Sequence, residues 1–209
     1  MTVNRKVMPY KKKCELFVNE CRKGSIENVR AMLKDPEVDP AYDNNYAVQT
    51  AAHCGNELVV EELLKDSRVN PGDQDNFAIR WAAESKSSIK SIKLLLKDNR
   101  VDPNANNGDA FVAACKYANY EIVKLLLEDG RVSLKAGNGD AIYYIIRNIS
   151  ILLPLFKNNK EFKEGLYKRY YNQYKNVTYD HVPVNMRCAL KSVFKVETNE
   201  ELKMLLIII

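Results

Sequence analysis

The residues best suited to chemistry lie in Gln-Thr-Ala-Ala-His-Cys-Gly, positions 49–55. A histidine there could act as general base toward a serine hydroxyl, given a carboxylate to orient its ring and backbone N–H groups to hold an oxyanion. The rest of that machinery has no counterpart. The chain has neither a Gly-Asp-Ser-Gly-Gly serine nor a Gly-x-Ser-x-Gly elbow, and no Gly-x-x-x-x-Gly-Lys phosphate loop. The Gly-Asp-Ala strings at 108–110 and 139–141 hold no serine.

Metal chemistry is equally unsupported. Asp102 to Asn107 places oxygen side chains in the manner of a calcium loop, but the sixth residue should be Gly and is Asn107, and the twelfth should be Glu and is Ala113. Two histidines, His53 and His181, and five cysteines without a Cys-x-x-Cys pair make no zinc cluster. An odd number of scattered cysteines is not a disulfide framework either, so reduced thiols are expected. No cofactor is expected.

What positions these residues is a repeat. Four segments fall into register: VRAMLKDPEVDP at 29–40, VEELLKDSRVNP at 60–71, IKLLLKDNRVDP at 92–103 and VKLLLEDGRVSL at 123–134. Their valines, Val38, Val69, Val101 and Val132, are spaced 31, 32 and 31 residues apart. Ahead of these, Ala47, Ala51 and Ala52 match Ala78, Ala82 and Ala83, then Ala110, Ala114 and Cys115. Small residues at helical spacing make a thin face for close packing. Val60, Leu63 and Leu64, with their equivalents Ile92, Leu95, Leu96 and Val123, Leu126, Leu127, follow at i, i+3, i+4. Each unit therefore reads as two short amphipathic helices. The intervening DPAYDNN, NPGDQDN and DPNANNG read as turns, because Pro fixes φ while Gly, Asn and Asp tolerate left-handed backbone. A hairpin this short buries its apolar face only by stacking on neighbours.

This pattern resembles the ankyrin repeat family over about residues 15–156, in its period, its paired alanines, Gly55-Asn56 and the Leu-Leu of each second helix. It departs from the family where Thr-Pro-Leu-His is usual, having Tyr46-Ala47-Val48-Gln49 and Phe77-Ala78-Ile79-Arg80. Its units are one or two residues short, a variant similar to ankyrin arrays of large DNA viruses and amoebae. The expected fold is all-α, an ankyrin-repeat solenoid of stacked helix-turn-helix units with a helical C-terminal cap. The expected organisation is a basic lead at 1–14, an array at 15–156 and a cap at 157–209. Within the array the units are 15–44, 45–75, 76–107, 108–138 and a degenerate 139–156.

Two irregularities stand out. The third unit carries one extra residue in AAESKSSIK, read as a longer turn between its helices. In the fifth, Ile149 replaces the usual Gly or Ala and Pro154 falls within the next helical stretch, so that helix is expected to begin late or be remodelled.

Net charge is +5, divided as +4 over residues 1–15, −3 over 16–156 and +4 over 157–209. Basic ends suit acidic partners or nucleic acid, and equally suit solvated surface lysines. Phe162, Leu166, Tyr170 and Tyr174 at i+4 steps among basic residues read as a capping helix or as an aromatic, basic nucleic-acid surface. Met186, Ala189, Leu190, Val193 and Phe194 mark a further one-sided helix, and a last one follows Thr198 and Glu201 in capping-box relation. The apolar end reads as a shield for the open end of the stack, or as a surface for an oligomer or partner. The start has no apolar run and the end is far shorter than the ~20 residues of a membrane span. The expectation is a soluble protein of a reducing cytoplasm, that of a host if the source is viral.

Repeat alignment also decides His53. Its equivalents are Arg22, Glu84, Lys116 and Arg147, and those of Cys54 are Lys23, Ser85, Tyr117 and Asn148. A position that accepts Arg, Glu and Lys is expected to be exposed rather than catalytic. The resemblance implies that these positions and the turn tips line a concave surface that binds proteins. That candidate surface comprises Arg22, Lys23, His53, Cys54, Glu84, Ser85, Lys116, Tyr117 and Arg147, with Tyr42, Asp43, Asp73, Gln74 and Asn106 at the tips. It is mostly cationic and suits an acidic partner. Tyr117 is the expected anchor, Trp81 either packs between helices, the favoured reading, or reaches the groove, and Arg80 either bridges turns or meets the partner.

Overall fold

The computed structural model describes residues 9–156 and, beyond them, positions 184, 187, 188 and 191. The described residues form helices and turns, with no strand among them. The chain divides into two compact units, Met1–Ala105 and Asn106–Ile209. In the first, α1 (Tyr10–Lys23) pairs with α2 (Ile26–Leu33), α3 (Tyr42–Cys54) with α4 (Glu57–Lys65), and α5 (Asp73–Ala82) with α6 (Ile89–Lys97). First helices stack on one another, α3 against α1 and α5, and second helices likewise, α4 against α2 and α6. The second unit holds α7 (Ala105–Lys116), α8 (Tyr120–Asp129), α9 (Asp140–Arg147) and α10 (Ile149–Phe156).

The small-residue face is fully used. Ala47, Ala51, Ala52, Ala78, Ala82, Ala83, Ala110, Ala114 and Cys115 are buried, as are Val60, Leu63, Ile92, Leu95, Val123 and Leu126 from the second helices. The helix α1 begins at Tyr10, inside the stretch read as a basic lead, with Cys14 and Phe17 buried. The extra residue of the third unit forms a 3-10 turn at Lys86–Ser88, where the buried Ser88 hydroxyl donates to the carbonyls of Ala82 and Ser85. Pro154 corrects the expectation for the fifth unit. Helix α10 starts directly after Asn148 and carries the proline at its sixth residue, where the missing N–H costs one backbone bond. Leu152 and Phe156 are buried, and α10 packs on α8 and α9. Apart from positions 184, 187, 188 and 191, which are helical, the helices expected within 157–209 lie outside the described residues, as do residues 1–8 of the lead.

The turns carry an unusual backbone. Asp43, Asn44 and Asn45 are all left-handed, with φ of 55°, 56° and 63°, as are Gln74, Asp75 and Asn76, and Asn106, Asn107 and Gly108. Right-handed helix resumes at Tyr46, Phe77 and Asp109, where the repeat alignment begins its first helices. Asn side chains tie this backbone to the next turn along the stack. Buried Asn45 donates to Asp73 Oδ2 (2.9 Å) and accepts from the amide of Asn70 (2.7 Å). Asn76 accepts from the amide of Asp102 at 2.8 Å.

A second device joins repeats through Asp-x-Arg. Arg68 is held by Asp66 and donates back to the carbonyls of Val38 and Leu33, both at 3.2 Å. Arg100, held by Asp98, donates to Val69 and Leu64 at 2.8 and 3.0 Å. Carbonyls left over at the end of a second helix are thus completed by the following repeat. Asn56 does the same for the first helices, donating to the carbonyls of Cys21 and Arg22 at 2.9 and 2.7 Å.

The latches predict acid sensitivity. Hydrogen bonds from Arg68 and Arg100 hold the Asp66 and Asp98 carboxyls below the usual carboxylate range. The unfolded chain therefore binds more protons than the folded one around the ordinary Asp value, so this stabilisation is complete above that value and fades as pH falls toward the folded one. Urea midpoints are expected to drop as pH falls through and below the ordinary Asp range, about pH 4. Asp98→Asn lowers the midpoint at neutral pH and makes the acid slope shallower; an unchanged slope would contradict the latch.

Candidate functional site

Three first helices of the first unit lie side by side, α3 against α1 and α5, each offering polar or aromatic residues beside its buried face. Arg22 comes from α1, Tyr46 and His53 at i, i+7 from α3, and Phe77 and Trp81 at i, i+4 from α5. Tyr46 stacks near-parallel to Trp81, with centroids 6.1 Å apart at 13°. His53 lies against the same indole at 4.3 Å and 14°, and Phe77 at 5.8 Å. Both ends of this row carry a guanidinium. Arg22 sits 5.9 Å over the Tyr46 ring and Arg80 5.5 Å over Phe77.

His53 therefore departs from expectation. It is half-buried rather than exposed, because the indole of the next repeat covers its ring, and its Nδ1 lies 3.0 Å from the Trp81 carbonyl rather than by a hydroxyl. Trp81 is half-buried, packed against Tyr46 and His53 of the adjacent helix α3 while keeping an edge in the surface row. The neighbouring Ala82 and Ala83 are the residues that enter the core. Arg80 bridges its own turn, donating to the carbonyls of Gln74 (3.4 Å) and Asp75 (3.5 Å).

Arg22, Lys23, Cys54, Glu84, Asp43 and Gln74 are exposed, while Tyr42, Asp73 and Ser85 are half-buried. Asp73 is occupied by the fold, accepting from Asn45 and from the amide of Gln74. Lys23 pairs with Glu20 at 2.9 Å. The hydrogen bond from Asn28, with Lys23 second, pushes the Glu20 carboxyl down to about 2. Glu84 and Ser85 lie past the end of α5, since the inserted residue moves them into the turn, where Ser85 Oγ meets Ser87 Oγ at 2.8 Å.

A cleft of about 480 Å³ opens between α1 and α3, lined by Lys11, Glu15, Val18, Asn19, Arg22, Tyr42, Asp43 and Tyr46. Arg22 is oriented at its wall. Nε donates to the buried Thr50 hydroxyl at 3.2 Å and Nη2 to the Tyr46 hydroxyl at 3.4 Å.

In the second unit Lys116, Tyr117 and Arg147 are exposed, with Lys116 Nζ 5.4 Å above the Tyr117 ring. Asn106 is exposed in its left-handed turn. Asn148 donates to the carbonyls of Cys115 (2.9 Å) and Lys116 (3.2 Å), repeating the part played by Asn56. Buried Cys21 has its thiol pushed up to about 12 by burial, and burial raises Cys115 also, so neither offers a thiolate. Among the described residues no group of three or more His, Cys, Asp or Glu could hold a metal ion, and no helix is long and apolar enough to cross a membrane.

The aromatic row was the part missed by reading repeats alone. Its signal was present: Tyr46 and Phe77 are repeat equivalents, and Trp81 and His53 share their helix faces. A family model described as ankyrin repeats (3 copies) matches residues 17–107 and 60–138. No curated protein matches the chain.

Proposed function

Because this chain belongs to the ankyrin repeat family, whose members generally bind other proteins and are typically not catalysts, we propose that it is a non-catalytic protein-interaction module. The reading rests chiefly on one observation, the row of Arg22, Tyr46, Trp81 and Phe77 lying at the surface of the first helices. Tyr, Trp and Arg are the side chains in which interface energy concentrates. Packing alone does not require cations over the rings. Tyr117 with Lys116 supplies a second such element. The exposed cations Arg22, Lys116 and Arg147 suit an acidic partner, and the five free cysteines suit a reducing cytoplasm, a host's if the chain is viral.

The test is capture of partner from native lysate by immobilised protein. Arg22→Ala and Tyr117→Ala, separately and together, are expected to reduce capture severalfold with the helical circular dichroism unchanged. Undiminished capture by the double variant would count against both elements. Retention of RNA or DNA that falls steeply with salt and vanishes on deleting residues 157–209 would favour nucleic-acid binding through the basic tail instead.

A further inference from the structure

Arg22 is a built receptor as well as a surface charge. Its guanidinium is fixed by Thr50 and Tyr46, lies over an aromatic ring, and donates to no carboxylate among the described residues. Of the acids in the same cleft, Glu15 pairs with Lys11 at 3.9 Å and Asp43 stands exposed in the left-handed turn. An oriented guanidinium loses little freedom on meeting a planar carboxylate, and its fork geometry matches one. Immediately beside it, the Tyr46 and Trp81 rings form an aromatic surface that continues from the cleft wall.

We propose that the cleft between α1 and α3 takes an Asp or Glu side chain of the partner onto Arg22, with an adjacent aromatic side chain of the same segment laid on the Tyr46–Trp81 pair. The proposal rests on the protein-binding reading and names the segment that this face recognises, an acidic residue followed by an aromatic one. Glu15 is engaged by Lys11, so a basic residue placed on Arg22 itself would meet like charge there and is disfavoured at the first position.

Trp81 is the chain's only tryptophan, so its emission reports on this site alone. The probes are soluble capped hexapeptides, Gly-Ser-Glu-Phe-Gly-Ser and its Glu→Lys, Glu→Gln and Phe→Ala counterparts, titrated to millimolar concentration against the full chain. The Glu-Phe peptide is expected to change Trp81 emission with an apparent Kd about tenfold below that of the Lys-Phe peptide. Arg22→Gln abolishes the preference, and Arg22→Lys, which keeps charge but not the fork, restores part of it. Equal titration by Glu and Lys peptides, no response to any, or a preference surviving Arg22→Gln overturns the proposal. So does an Arg22-dependent response to single-stranded oligonucleotide that the peptides do not produce. Loss of lysate capture in Arg22→Ala without any peptide preference overturns this segment while leaving the protein-binding reading intact. A peptide preference with undiminished capture by Arg22→Ala leaves the segment standing and moves the lysate partner to another surface.

Discussion

Asn45→Ala is expected to destabilise the fold by about 3 kcal/mol in urea melts, a large loss for a buried polar residue with one small side chain. Three effects add. The amide of Asn70 loses its acceptor, the Asp73 carboxylate loses a donor, and alanine must hold a φ of 63°. A buried group left without its partner costs roughly 1–3 kcal/mol, and an L-residue with a Cβ in left-handed backbone costs roughly 1–2 kcal/mol. Asn45→Gly separates them. It relaxes the backbone while still losing both bonds, so it should recover about 1 kcal/mol relative to alanine. If alanine and glycine are equally damaging, the hydrogen bonds carry the position. A near-neutral alanine would mean that the turn is not held as described.

Gly55→Ala is expected to cost more than Gly130→Ala although the two backbones are nearly the same, with φ of 76° and 79°. A Cβ at Gly55 would stand 2.3 Å from the carbonyl oxygen of Ser87, a backbone atom that cannot swing aside. At Gly130 nothing lies within 4 Å. Gly130→Ala should therefore show only the left-handed penalty, about 1 kcal/mol. Gly55→Ala adds the displacement of the 3-10 turn at Lys86–Ser88 and should reach about 3 kcal/mol or more. Thermal melts of both variants check this, and equal shifts would remove the contact with Ser87 as the cause.

The contrast explains which parts of the molecule could be read from residues in order. Turn chemistry is local: Asn, Asp and Gly at 43–45, 75–76 and 106–108 announce left-handed backbone, and the turns adopt it there, carrying Gln74 with them. Alanine faces are local also, since a helix dictates which side i and i+4 share, and the fold follows the repeat period closely. Contacts between repeats are not local. Trp81 in Ile-Arg-Trp-Ala-Ala could turn toward either side of its helix, and only the placement of α3 against α5 brings it onto Tyr46 and His53. The same holds for His53, whose variable equivalents say nothing of the indole across from it. Arg68 and Arg100 were visible as a repeated Asp-x-Arg, yet their reach to carbonyls 30 to 36 residues earlier is a property of the stack.

Those backward reaches give the first unit a direction. Leu33, Val38, Leu64 and Val69 have their carbonyls finished by side chains that come later in the chain, and Cys21 and Arg22 have theirs finished by Asn56. A hairpin emerging during synthesis is therefore incomplete until its successor arrives, and closes when that successor docks. Cutting the stack is correspondingly lopsided. Loss of a leading hairpin frees flexible arginine and asparagine side chains that water can solvate, whereas loss of a trailing one strips fixed backbone carbonyls of their donors. The array has a grain, and it runs from the C-terminal side toward the N-terminal one.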